Sequence, residues 1–185
     1  MLSKIFIPLI FFINFSLNIY ANEKQLIINK FIGIDNITFN FVQLTNDKKE
    51  FGVCILAFDN KLVCDYSDSF QKRIITNGKI LVIQQKRYDK NYFYPISKSP
   101  FIKIFNKKKF FRIIQNSDYQ LNDNIELTYV GENNEKIIIF FEKKNYDLVG
   151  WEVVDQFQNI INFSIDIKSI NSEINHKIFK IPSIN

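Results

Sequence analysis

Ile161, Phe163, Ile165 and Ile167 project to one side of an extended chain, and Asn162, Ser164, Asp166 and Lys168 to the other. This period-two alternation, repeated along the chain and broken by turn residues, restricts the fold more than any other feature. Ile37, Phe39 and Phe41 alternate with Thr38, Asn40 and Val42. Val53–Phe58 and Lys61–Tyr66 meet at Asp59-Asn60, a pair that tolerates the positive φ of a tight turn. Arg73–Thr76 and Lys79–Gln85 flank Asn77-Gly78, the strongest short hairpin signal present. Asn91–Tyr94 is short and aromatic, and Ile125–Val130, Lys136–Glu142, Leu148–Asp155 and Ile160–Ile167 continue as meandering strands. Ile178–Ile181 reads as a terminal strand stopped by Pro182, while Phe110–Leu121 fits a helix or a strand. About ten antiparallel strands predict a mainly β fold with some helix: a strongly curved sheet or open barrel, with helices at its mouth.

Two segments break the alternation. Glu23–Ile34 is amphipathic at helical spacing, with Leu26, Ile27, Lys30, Phe31 and Ile34 near one stripe and Gly33 and Asp35-Asn36 as its end. Pro95 closes a strand because it has no N–H for the ladder. Ser99-Pro100 then reads as an N-cap followed by proline at the first helical position. Phe101, Ile102, Ile104 and Phe105 make one apolar turn, a short helix suited to act as a lid over the sheet. Lys107-Lys108-Lys109 then fall at its C-terminal end, where cations favour the dipole.

Met1–Ala21 carries one charge, Lys4, then an apolar run from Ile5 to Leu17, with Ala21 as the small residue before polar Asn22. That is the layout of a secretory signal peptide, leaving residues 22–185 as one exported domain. An uncleaved anchor is the rival reading, but the run falls short of the ~20 residues that span a bilayer, and Asn14 and Asn18 interrupt it. Setting Lys4 aside leaves 23 basic residues against 19 acidic ones, spread along the chain apart from the lysine triplet. A nucleic-acid surface needs clustered charge interleaved with aromatics, so nucleic acid is not an expected partner.

Catalysis is poorly supported. The single histidine, His176, lies in a polar stretch and reads as an exposed turn residue. No nucleophile elbow, zinc-protease motif or phosphate-cradling loop occurs, so neither an enzyme nor a cofactor is expected. Cys54 and Cys64 flank the Asp59-Asn60 turn. A two-residue turn sets Cys64 opposite Ile55, whereas a turn centred on Asp59 sets the cysteines face to face, so a disulfide and two buried thiols both remain open. Two cysteines are too few for a metal site. The apolar inventory remains: twenty Phe and eight Tyr, with Ile80–Ile83 and Ile137–Phe141 apolar on both faces. Either the helices cover the second face, or the sheet encloses a ligand-sized concavity.

The order of these features resembles the periplasmic outer-membrane lipoprotein carrier family, LolA. Phe41-Val42-Gln43 is similar to the family's Phe-x-Gln, Gly52 to Tyr66 follows its Gly-opened hairpin, and Thr76-Asn77-Gly78-Lys79 matches its turn. Pro95-Ile96-Ser97-Lys98-Ser99-Pro100-Phe101 is close to Pro-Leu-Ser-x-Thr-Pro-Leu. Gly150-Trp151 through Asp155 and Phe179-Lys180-Ile181-Pro182 fit as well. The resemblance implies a monomeric periplasmic carrier that shelters lipoprotein acyl chains, loaded by an inner-membrane ABC exporter and unloaded to an outer-membrane acceptor, if one exists. By parity the concave side takes Phe39, Phe41, Leu56, Phe58, Leu62, Leu81, Ile83, Ile139, Phe141, Trp151, Val153, Phe163 and Ile165. Leu26, Ile27, Phe31, Pro100, Phe101, Ile102 and Phe105 would form the lid. One departure stands out. The family's Arg-Pro pair and second basic residue align with Phe58, Asp59 and Val63, so the arginine that hydrogen-bonds the closed lid is missing. Apolar contact through Phe58, or Arg73 or Arg87, would have to substitute. A carrier of another lipid or glycolipid, and a structural domain with a filled barrel, are the alternatives.

Overall fold

One-sided strands are stable only when their apolar faces are covered together, and here they assemble into a single sheet. The structure, a computed structural model, describes residues 16–96, 104–131, 135–154 and 159–183, with side chains from residue 22. The strands are β1 (Asn36–Thr45), β2 (Lys48–Ala57), β3 (Lys61–Tyr66), β4 (Lys72–Asn77), β5 (Ile80–Gln85), β6 (Lys90–Pro95), β7 (Asp118–Leu121), β8 (Ile125–Val130), β9 (Lys136–Phe141), β10 (Leu148–Val154) and β11 (Ile160–Ile170). They pair antiparallel in the order β6-β5-β4-β3-β2-β1-β11-β10-β9-β8-β7. Two meanders, one from each half of the chain, are therefore joined where the first strand meets the last. β6 and β7 remain as edges, so the curved sheet is the expected open barrel and does not close.

The helices are α1 (Ser16–Ile32) and α2 (Lys107–Asn116). The segment that fitted both helix and strand contains both: α2 ends at Asn116, and β7 begins at Asp118. The lysine triplet is a correction. These residues come just after the 3-10 turn that ends at Phe105, but they form the first turn of α2, because Asn106 accepts the Lys109 N–H (3.0 Å) as an N-cap and Phe110, Ile113 and Ile114 form the buried stripe. The expected Pro100–Phe105 helix falls largely on residues 97–103, outside the described residues; Ile104 and Phe105 are described and buried. Residues 1–15 of the expected leader also lie outside them. Among the described residues no helix is long and apolar enough to cross a membrane.

The terminal strand is corrected too. His176–Phe179 is a 3-10 turn capped by Asn175, which accepts the Lys177 N–H (3.0 Å), and His176 is exposed. Phe179 lies flat on the convex face against Ala57, Val63 and Ile75, with Ile174, Ile178 and Ile181 around it. A face offers apolar contact but no ladder, so this segment docks through side chains.

Register fixes the opposite, concave face. Phe39, Cys54, Cys64, Ile74 and Ile83 stand in one row across five strands, and Ile37, Leu56, Leu62, Thr76 and Leu81 in the next. The β2–β3 loop is the three-residue turn Phe58-Asp59-Asn60, with Asn60 at φ 72°, so the two cysteines face each other and are joined in a disulfide. Gly52 occupies a point of close approach. A Cβ there would sit 2.7 Å from the Phe41 ring and 2.2 Å from the Asp65 carbonyl. Its absence lets Phe41 lie over β2, edge-on to Tyr66 at 4.8 Å between centroids.

Candidate functional site

The concave face is lined almost entirely by hydrocarbon, and what fills it does not come from the sheet. Ile27, Ile28 and Phe31 descend from α1, Phe110, Ile113 and Ile114 from α2, and Ile104 and Phe105 from the connector before α2. Phe31 is central: its ring meets Phe110 at 5.3 Å, Phe141 at 5.9 Å and Phe58 at 6.2 Å. Phe105 is fully buried with its ring 6.3 Å from Trp151, which stacks on Phe163 at 5.0 Å. Between Phe105 and the wall formed by Phe39, Cys54, Leu62 and Tyr66, a space of about 10 Å³ remains, scarcely enough for one water.

Of the residues placed on the concave side by parity, Phe39, Phe41, Leu56, Leu62, Ile139, Phe141, Trp151, Val153 and Phe163 are buried in this core, and Leu81 and Ile165 are partly buried against it. Ile83 shares their face but is only half-buried, on β5. Phe58 is buried as well, but from the turn: its ring sits 5.8 Å from Phe110. In α1 the buried stripe is Ile27, Ile28 and Phe31, and Leu26 is exposed. The predicted stripe was turned toward Leu26 by counting Lys30, which instead pairs with Asp147 at the rim. Pro100, Phe101 and Ile102 lie outside the described residues. Parity could also have supplied Ile37, Tyr66, Ile125, Leu127 and Ile137, all buried in the same core. The contribution of α2 was hidden by the ambiguous segment.

The stopper is held by a small set of polar contacts. Asn60 N–H donates to the Phe105 carbonyl and Lys107 N–H to the Phe58 carbonyl, both at 3.3 Å, tying the plug to the β2–β3 turn. The Lys107 ammonium donates to the Ile32 carbonyl (3.0 Å) and to Asp35 (3.2 Å). Lys24 donates to the Gln115 carbonyl (3.3 Å) and the Ser117 carbonyl. Each helix thus supplies a cation to the carbonyl end of the other, where it suits the dipole. Among the described residues Arg73 pairs with Asp65 (3.3 Å) and Arg87 donates to Ser69 (3.3 Å). Phe58 meets the plug by ring packing on Phe110 and by its backbone carbonyl.

At its other end the hollow turns polar. Tyr66 donates to Gln43 (2.6 Å), and the Lys72 ammonium lies 3.7 Å over the Tyr66 ring while bonding Glu50 at 2.6 Å; Lys48 joins Glu50 at 2.9 Å. Burial pushes the Tyr66 hydroxyl well above the ordinary tyrosine range, with Glu50 and Asp68 adding to it. Burial also works against a charged Glu50, but the hydrogen bonds from Lys72 and Lys48 outweigh it and hold the carboxyl below its usual value. Among the described residues no group of three His, Cys, Asp or Glu is placed to hold a metal.

A half-open antiparallel barrel whose oily interior is stoppered by helices is the architecture of the LolA-like binding proteins. The chain belongs to the family of the outer membrane lipoprotein carrier protein LolA, which it matches over residues 33–182. Among curated proteins the sequence finds no match. Similar solved structures include an uncharacterized conserved protein from Thermus thermophilus (6% identity, 88% of this chain and 94% of that one, TM-score 0.50). The lipoprotein LppX of Mycobacterium tuberculosis is another (10%, 86% and 99%, TM-score 0.49). A putative outer membrane lipoprotein-sorting protein domain from Vibrio parahaemolyticus is a third (7%, 86% and 94%, TM-score 0.49). At 6% identity the likeness to the Thermus protein is one of fold alone.

Proposed function

We propose that the protein is a periplasmic carrier that shelters the acyl chains of lipoproteins on its concave face and moves them from the inner to the outer membrane. The observation that carries this reading is the origin of the filling. The hollow is occupied by side chains from α1, α2 and the Phe105 connector, pieces that can withdraw without breaking the sheet ladder. An inner-membrane ABC exporter would load it and an outer-membrane acceptor, or the membrane itself, would unload it.

The magnitudes suit a carrier. Each buried CH₂ contributes ~0.8 kcal/mol, so one sixteen-carbon chain is worth on the order of 12 kcal/mol. Several chains fully sheltered would pass the practical ceiling of about 20 kcal/mol for noncovalent affinity, and such cargo would not leave. Cargo entering this hollow must displace Phe31, Phe105 and Phe110 from contact with Trp151 and Phe141, so much of its gain is offset. Transfer then stays close to level in free energy, and release needs no separate energy source.

The tight packing also favours a second reading, a structural domain whose barrel stays filled. Native mass spectrometry of the protein purified gently from cells separates the two. Bound lipidated protein is the expected result; free lipid points to a carrier of another amphiphile, and a uniformly empty mass that persists when the exporter is co-expressed overturns the carrier.

A further inference from the structure

Two exposed aromatic rings stand together at the outer end of the β3–β6 wing, away from both helices. Phe70, in the turn after β3, is 45% exposed, and Tyr88, in the 3-10 turn after β5, is 51% exposed. They are fixed in that position. Arg87 N–H donates to the Phe70 carbonyl (3.3 Å) and Lys86 N–H to the Gln71 carbonyl (3.4 Å), and the Arg87 guanidinium donates to the Ser69 carbonyl (3.3 Å). Gln71 and Asp89 take left-handed conformations, φ 53° and 49°, at the base of the two turns. The rings lie 5.9 Å apart, with Arg87 over Tyr88 at 5.9 Å. The two turns form one stiff ledge.

The charges beside the rings are mainly basic. Lys86, Arg87 and Lys90 are all exposed, against Asp89 in the same turn. Lys86 is shared with Asp65 (3.1 Å), and Asp68 accepts the Lys72 N–H (2.9 Å) at the back of the ledge. Arg87 and Lys90 stay exposed on either side of Tyr88 and Asp89.

We propose that this ledge seats the protein on an anionic phospholipid surface, with Phe70 and Tyr88 entering the headgroup layer and Arg87 and Lys90 meeting lipid phosphates. Aromatic rings, one carrying a hydroxyl, are suited to the boundary between water and hydrocarbon, and adjacent cations complement anionic headgroups. Two rings flanked by cations suit a headgroup layer better than the broad contact that a stable protein interface needs. Attachment by so few groups is weak and reversible. The inference rests on the wing alone and does not depend on what the hollow carries.

The test is vesicle flotation of the exported form of the protein without cargo. It should float with vesicles of mixed phosphatidylcholine and phosphatidylglycerol, less with phosphatidylcholine alone, and less again in high salt. Phe70→Ser with Tyr88→Ser should lower partition about tenfold while circular dichroism and the melting midpoint stay unchanged. Arg87→Gln with Lys90→Gln should remove the preference for anionic lipid. No flotation of the wild type, or equal flotation of the ring variant, overturns the proposal; native mass spectrometry of the cargo is untouched by either result.

Discussion

Among single residues, Phe105 ties the plug most directly to the wall it covers. Its ring is fully buried against Trp151 and holds in place a plug tied to the sheet by two backbone hydrogen bonds. Phe105→Ala should destabilise the protein by about 3 kcal/mol in urea melts, as truncating a core phenylalanine does. The same variant should take up a fluorescent fatty-acid probe more tightly than wild type, because cargo no longer competes with the ring. Equal uptake by both forms would show that Phe105 is packing only. Glu50 makes a second prediction. Its carboxyl is held below the usual value in the folded state, so its ionised form stabilises the fold above that value, and the contribution is lost as pH falls through the acid range. Glu50→Gln should flatten the acid arm of the stability curve by about 1 kcal/mol between pH ~5 and ~3, measured by thermal melts.

Between elements, the two helices are joined by exchange of lysines. Lys24→Met with Lys107→Met keeps the side-chain length and removes both cations from the helix ends. Hydrogen exchange should then quicken across α1 and α2 by about tenfold while β1 and β2 keep their protection. A uniform change across sheet and helices would mean that the stopper and the barrel open as one body. These contacts also show how far the sequence could be read. Alternation placed most of the strands and the concave side, since parity follows directly from strand geometry, as at Phe39, Phe41 and Leu56. The Cys54–Cys64 pairing could not be decided because it turns on a one-residue difference in loop length. α2 stayed undecided between helix and strand for a different reason: Lys107–Lys109 read as the end of one helix when Asn106 makes them the start of another. Lys24 and Lys107 carried no sequence signal, because their partners are backbone carbonyls brought near only by the fold.

The whole molecule is two meanders whose central seam pairs β1 with β11, from Ile37 opposite Ile170 to Thr45 opposite Ile161. The hairpins within each half need only short loops closed, whereas the seam joins segments from opposite ends of the sequence, which is slow. Pulse-labelled hydrogen exchange during refolding should protect β2–β3 and β8–β9 before β1 and β11; simultaneous protection of all four would refute that order. The seam also has a consequence for biosynthesis. A polypeptide emerging amino end first cannot complete its barrel until β11 is out, so the free edge of β1, a row of unpaired N–H and C=O groups, stays open throughout that interval. Whatever attends the chain during synthesis has to guard that open edge until Ile165 and Phe163 arrive beside Phe41 and Gln43.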